Sequence, residues 1–409
     1  MSERRQPALA LTVLVGLAVI FAGWRVVSLG LADQFARKQP ARALGWRPAH
    51  PLALAIAAEK SVERNPDHAT KLALAALAAN PREGRAFRVL GEVAELRGDT
   101  PTALKNYELA SARSPRDLPT HFWLEQHYLS AGKLALALKQ LDLLLRIEPE
   151  TRDSQFALLQ TLATLPQAHP ELASLMAQRP PWRERFVTEL CAQADDSAVI
   201  APFLGRLRLA PGGLSDAELS AWLERLTKDH RWGEAYLNWA STLGIEQQSE
   251  LGNLFNGDFE REPSNTGFDW RFGRVPGAHI ERQPGAGVTG DFALRVSFED
   301  RRVPFQHVQQ LLVLTAGSYR LAGMARADGL RSERGLVWTV RCADTNQTLA
   351  STEPLTGRTA WRPFSSDFEV PVDACGGQWL QLSVPARIAA EQRIGGRAWF
   401  DGLRIVRKD

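Results

Sequence analysis

Only three cysteines occur in 409 residues, too few for a disulfide-built scaffold, and their spacing matches no zinc-ligand pattern. Charge of one sign is also lacking: 49 Lys and Arg against 46 Asp and Glu leave a net charge of +3. No basic stripe with interleaved aromatics runs through the chain, which argues against a nucleic-acid partner. Catalytic signatures are missing as well, since no His-Glu-x-x-His, Gly-x-Ser-x-Gly or Walker sequence occurs. Gly285-x-Gly287-x-x-Gly290 matches a dinucleotide fingerprint by letter. Pro284 precedes it and a strand pattern follows, so no helix N-terminus is offered to a pyrophosphate. Nothing nominates a carboxylate pair for glycosidic cleavage. The expectation is a protein that is not an enzyme and carries no organic cofactor.

At 44% hydrophobic and 23% charged residues, the chain can bury ordinary cores and should divide into two or three domains. Its clearest order lies in residues 50–149. Pro81, Pro115 and Pro149 recur every 34 residues (115 − 81, 149 − 115), and so do Ala69, Ala103 and Ala137. A fixed period of that size belongs to a solenoid of helical hairpins. In the middle copy Phe87, Leu90 and Gly91 mark one helix and Ala103, Tyr107 and Ala110 a second. The small alanines let two helix backbones approach, and Pro115 ends the unit because it cannot continue a helix. The first copy is weaker, and the third has Glu125 where Gly is usual. This pattern resembles the tetratricopeptide repeat, three copies over 50–149, with divergent helical pairs over 150–247. The resemblance implies a groove for a protein partner, lined by Arg85, Arg88 and Glu92 in the second copy and Phe122 and Gln126 in the third. The alternative for each is an ordinary solvated charged face.

Residues 8–24 are uncharged and follow Arg4 and Arg5. Seventeen helical residues span only about 26 Å, short of the roughly 30 Å hydrocarbon layer. Snorkelling by Arg25 would extend the span through Ala32. A single-pass anchor over 8–32 is expected, with a cytoplasmic tail at 1–7 and a tether at 33–49. A cleaved signal peptide uses the same basic start and apolar run. Basic residues flank both ends, but long domains translocate largely regardless of flanking charge. The bulk of the chain is therefore expected outside the cytoplasm, in the periplasm if the membrane is a bacterial inner membrane.

Near residue 248 the composition turns to glycine, β-branched and aromatic residues. Alternating runs predict strands at 292–298, 319–326, 335–343, 366–370, 379–384 and 398–406. Six strands without an intervening helix predict a β-sandwich over 248–409. Leu254-Phe255-Asn256-Gly257-Asp258-Phe259-Glu260, Gly267-Phe268-Asp269-Trp270, Ala316-Gly317-Ser318-Tyr319-Arg320-Leu321 and Trp399-Phe400-Asp401 resemble the jelly-roll carbohydrate-binding modules of families four and nine. In that family an opening Glu and a closing Asp help hold a structural calcium, and the matching positions are Glu260 and Asp401. Two ligands fall short of the six to eight that calcium takes, and Gly402 stands where a second Asp is common. The alternative is that Asp401 caps a turn.

Alternation places Tyr319 and Leu321 on one face of their strand and Arg320, Met324 and Arg326 on the other. It likewise sets Leu380 and Leu382 against Trp379 and Gln381, and Trp338 and Val340 against Arg341. If these outer faces adjoin, Arg326, Arg341, Trp379 and Gln381 form a polar platform suited to a polysaccharide, an acidic one given the arginines. A plain solvated sheet face is the other reading. Cys342 and Cys375 either form a disulfide or remain two buried thiols, and Cys191 reads as a small core residue. Together these features predict a multidomain chain: an N-terminal transmembrane helix, an all-α tetratricopeptide-like solenoid and a C-terminal all-β jelly roll. Such a chain would act as a membrane-tethered scaffold for a protein partner and an envelope polysaccharide. A protein–protein adaptor without sugar affinity and a glycan-active enzyme are the competing expectations.

Overall fold

The structure, a computed structural model, describes residues 6–148 and 152–408, with side chains from residue 12 onward. Arg4, Arg5 and Pro149 lie outside the described residues. The chain is multidomain, a helical N-terminal region followed by a β-sandwich. It divides into two compact units, Met1–Trp182 and Arg183–Asp409. That division falls within the helical region, whereas the composition changes near residue 248.

The first unit is helical. Helix α1 (Gln6–Ala36) contains the segment Thr12–Ala36, 25 mostly exposed residues, long and apolar enough to cross a membrane. A signal sequence passes the same test. Residues 33–49 are not extended: they hold the end of α1 and a short helix α2 (Pro40–Trp46), and Ala36, Ala43 and Ala53 pack together there. Three helical pairs follow: α3 (Pro51–Glu59) with α4 (Pro66–Ala79), α5 (Gly84–Leu96) with α6 (Thr100–Arg113), and α7 (Leu118–Ser130) with α8 (Leu134–Ile147). Asn65 and Asp99 cap α4 and α6 by accepting from the backbone N–H of His68 and Thr102. Close approach within the pairs is set by small residues. Ala69, Ala73, Ala76, Ala86 and Ala103 are wholly buried, and a Cβ on Gly91 would stand 2.9 Å from the Tyr107 ring. Helices α9 (Arg152–Ala163) and α10 (His169–Ala177) complete this unit.

The second unit opens with α11 (Arg183–Gln193), α12 (Ser197–Leu209), α13 (Asp216–Lys228), α14 (Trp232–Ala240) and the short α15 (Ile245–Ser249). Ser215 caps α13 as expected, in a reciprocal box with Glu218. Cys191 is a buried free thiol. Ten strands follow: β1 (Arg271–Phe272), β2 (Ala278–Pro284), β3 (Phe292–Arg302), β4 (Val308–Leu312), β5 (Gly317–Ser332), β6 (Val337–Cys342), β7 (Thr348–Ser351), β8 (Gly357–Val370), β9 (Gln378–Ser383) and β10 (Arg393–Arg407). They form two antiparallel five-stranded sheets, β1-β4-β9-β6-β7 and β2-β3-β10-β5-β8. The core between them holds Trp270, Trp338, Phe400, Leu380, Leu382, Val296 and Leu321, all nearly or fully inaccessible.

Candidate functional site

The two sheet faces turned away from this core differ in what covers them. On the first sheet, Arg341 pairs across the ladder with Trp379 and Thr339 with Gln381, so three of the four residues expected to form a platform do lie together. Arg341 Nη2 donates to Gln381 Oε1 at 2.7 Å, and Gln381 Nε2 donates to the Gln306 carbonyl at 3.0 Å. Gln381 is buried and Trp379 half-buried. The Arg271 guanidinium lies 5.2 Å from the Trp379 ring centroid. Burial pushes the pKa of Arg271 down, against the opposing charge of Glu224 on α13.

Helix α14 packs beside the ends of β6 and β9. Its Trp232, Tyr236 and Trp239, spaced four and three residues apart, fall on one helical face. Trp232 packs on Gly376 and Gly377, where a Cβ on Gly377 would come within 2.6 Å of the indole. Trp232 Nε1 donates to Asp344 Oδ1 at 3.2 Å, and His230 pairs with the same oxygen. Tyr236 meets Phe268 edge-on at 5.2 Å, and Trp239 meets Phe255 edge-on at 5.3 Å. Cys342 and Cys375 are joined in a disulfide, Cα to Cα 5.1 Å, immediately beside Asp344 and Gly376. Alternation had separated inner from outer residues correctly, but did not show that Gln381 would be buried on the outer side.

Arg326 does not join the platform. It lies on β5 of the second sheet, because β5 pairs with β10 and β8 and not with β6 or β9. There it forms part of a different surface. One row across the outer face runs from Glu281 on β2 through Arg295 on β3 and Trp399 on β10 to Arg326 on β5. Trp399 donates from Nε1 to Gln283 Oε1 at 2.8 Å, and Arg295 binds both Gln283 and Glu281. The Arg326 guanidinium sits 4.7 Å from the Trp399 centroid and that of Arg397 5.9 Å, leaving Trp399 only 5% exposed. On β8, half-buried Trp361 falls at a register shift in the β5–β8 pairing, between Arg362 opposite Ala325 and Thr359 opposite Ala327.

Carboxylates are interspersed with the arginines on this face. Asp328 is shared by Arg397 and Arg358, and Asp367 by Arg320 and Lys408. The pKa of Asp367 is held far below the ordinary carboxylate value by hydrogen bonds from Arg320 and Lys408. Exposed Arg326 and Arg404 have no carboxylate partner among the described residues. Gln283, Arg295 and Arg397 were not singled out from sequence, though Arg397-x-Trp399 carried the strand periodicity that would have placed both on one face.

Glu260 and Asp401 do come near each other, at the two sides of the glycine loop 285–290, but not as a cation site. Asp401 is wholly buried and accepts from Thr289 N at 2.9 Å, Thr289 Oγ1 at 3.0 Å, Gly402 N at 2.6 Å and Val288 N. Glu260 Oε1 accepts from Phe292 N at 2.8 Å. The lone pairs of Asp401 are thus filled by donors, Glu260 accepts one, and no group of three His, Cys, Asp or Glu among the described residues could hold a metal. The pair fastens the loop to β3 and β10, so the turn-capping alternative describes Asp401 and the calcium expectation does not.

In the helical unit Arg88 is not available at a groove surface. It is 3% exposed, bonded to Glu59 at 2.8 Å and to Glu92, with Asp117 at 2.9 Å. Burial alone would lower its pKa, but Glu92, Asp117 and Glu59 outweigh that and raise it. Glu92 is pushed up by its own burial. Burial would also raise Glu59, yet Arg88 and Arg85 hold it below its ordinary value. Arg85 is half-buried on Glu59 at 2.7 Å, Phe122 is half-buried, and Gln126 is exposed. Beside this cluster lies a cleft of about 710 Å³ lined by Glu59, Lys60, Glu63, Arg64, Glu92 and Glu95.

No protein-family model matches the chain, and no curated protein matches it. Among solved structures, similarity is found to a family 4 carbohydrate-binding module, 16% identical over 38% of this chain and 99% of that one, with a TM-score of 0.29. A family 61 carbohydrate-binding module in complex with β-1,4-galactotriose is 20% identical over 39% of this chain and 99% of that one, with a TM-score of 0.28. MamA is 11% identical over 47% of this chain and 87% of that one, with a TM-score of 0.24.

Proposed function

We propose that the chain is a membrane-tethered, extracytoplasmic scaffold whose β-sandwich takes a polysaccharide across the open face of its second sheet. One observation carries this. The second sheet presents Gln283, Arg295, Arg326 and Arg397 around Trp399, with Arg326 and Arg397 exposed, whereas on the first sheet Gln381 is buried and Arg271 lies over Trp379. Planar hydrogen-bonding side chains beside an aromatic ring are what a row of sugar hydroxyls requires, and a rigid sheet holds them without further ordering cost. In the same proposal the helical pairs are tetratricopeptide-type repeats holding a protein partner, α1 is the anchor, and the compartment is the periplasm. The role is non-enzymatic, in assembly or export of an envelope glycan. The apolar length of α1 and the recurring helical pairs support these parts.

The test is native affinity electrophoresis of the detergent-solubilised full chain through gels containing candidate polysaccharides. Retardation that is lost in R326A with R295A, and kept in R341A on the first sheet, is expected. A chain unretarded by every neutral and acidic polymer would leave the competing proposal, a protein–protein adaptor, in its place.

A further inference from the structure

We infer that the polymer taken by the second sheet is a polyuronate, its carboxylates seated on the guanidinium groups of Arg326 and Arg397. This rests on the proposal that this face takes a glycan.

The distinction turns on what the face offers to a sugar. Neutral sugar rings are held chiefly by stacking on a bare aromatic plane, but Trp399 is 5% exposed and its ring is overlain by two guanidiniums. A ligand arriving there meets guanidinium before indole. Each guanidinium has five N–H donors in a planar fork that matches a carboxylate. The protein's own carboxylates do not saturate them. Asp328 divides itself between Arg397 and Arg358, and Arg326 has only the π-face of Trp399.

The two guanidiniums project from adjacent strands, β5 and β10, and flank one ring, so their separation is set by the ladder and not by flexible loops. A carboxylate on a pyranose ring can then bind the fork of either guanidinium. Phosphate-rich polymers fit less well. The whole chain carries only +3, and acids are interspersed with the arginines along the face, which would repel a densely charged backbone.

The experiment compares four gels run with the full chain in detergent: alginate, the same alginate after carboxyl reduction, neutral hydroxyethylcellulose, and double-stranded DNA. Alginate should retard the chain, and carboxyl reduction should weaken this at least about tenfold. R326Q and R397Q should each cost about tenfold, with an unchanged melting transition. R326K, which keeps the charge and the stem over Trp399, should recover only part of the loss. Equal retardation by hydroxyethylcellulose would overturn the uronate assignment and leave the glycan proposal standing. Retardation by DNA as strong as by alginate, or full recovery in R326K, would show that charge alone acts, and would also overturn it. No retardation in any gel would overturn both together.

Discussion

Glu125 on α7 gives the sharpest quantitative test of how the helical unit is held together. It is 1% exposed, and its only side-chain hydrogen bond among the described residues is to Gln155 Nε2, which donates to Oε2 at 3.2 Å. Glu125 Oε1 and Gln155 Oε1 are both buried without a donor. Burial pushes the Glu125 carboxyl above its ordinary 4.5, and the Gln155 bond only partly offsets this. The sign follows. A folded-state pKa raised above the unfolded value gives stability that is whole below about pH 4.5 and is lost as pH rises through the folded value. At neutral pH the site therefore carries the cost of a buried, underbonded acceptor, about 1–3 kcal/mol. Glu125→Gln keeps the shape, cannot ionise and places an N–H₂ group where the orphaned oxygen stands. Hydrogen exchange of the amides of α7 at pH 7.5 should slow by about 5- to 150-fold in the variant, the equivalent of that cost. At pH 4 the two proteins should exchange alike once intrinsic rates are removed. Faster exchange in the variant at pH 7.5, or a wild type whose α7 protection rises from pH 4 to 7.5, would refute the reasoning.

Replacing Arg88 by Met should cost about 3–5 kcal/mol, because Glu59, Glu92 and Asp117 are left facing one another; adding Glu92→Gln should return part of it in urea melts. Gly91→Ala should lower stability by about 1–3 kcal/mol by driving a methyl into Tyr107, and no such loss would be seen for Gly98→Ala beyond its backbone strain. Reducing the Cys342–Cys375 bridge, with a sequence separation of 33, should cost about 4 kcal/mol on the chain-entropy estimate and hasten proteolysis near α14, since Asp344 and Gly376 sit beside it. Unchanged proteolysis after reduction would mean that the bridge does not support the α14 contact.

The helical pairs were legible because their determinants are local and periodic. Ala69, Ala103 and Ala137 recur at one spacing, and each is buried where two helices meet. Strands β5, β6 and β9 were legible through alternation. Strand β4 escaped because Gln309 and Gln310 look alike in sequence. Only Gln310 is inward, wholly buried, with Nε2 donating to the Phe255 carbonyl at 2.9 Å. Strand β2 escaped because His279, Glu281 and Gln283 face outward and its inward residues are only half-buried. The Arg326 grouping failed for a different reason. Period two tells inside from outside, but which sheet a strand joins depends on pairing between residues far apart in sequence, here β5 with β10.

The tryptophans show why that failure matters for function. Of the twelve in the chain, only Trp379 was expected to form part of an exposed platform. The fold uses the aromatic rings otherwise. Trp270 and Trp338 fill the sandwich core, Trp232 and Trp239 join α14 to the first sheet, and Trp379 and Trp399 lie under arginines. Trp239 and Trp232 of this helix pack against the loop glycines Gly267, Gly376 and Gly377. On the outer face of the second sheet the outermost groups are guanidiniums held in place by the rings beneath them. An arginine stacked on a buried tryptophan keeps its donor edge free and loses little conformational freedom on binding. In the polyuronate proposal, the placement of Trp399 therefore sets the recognition chemistry, because it orients the two cations that would meet the acid group.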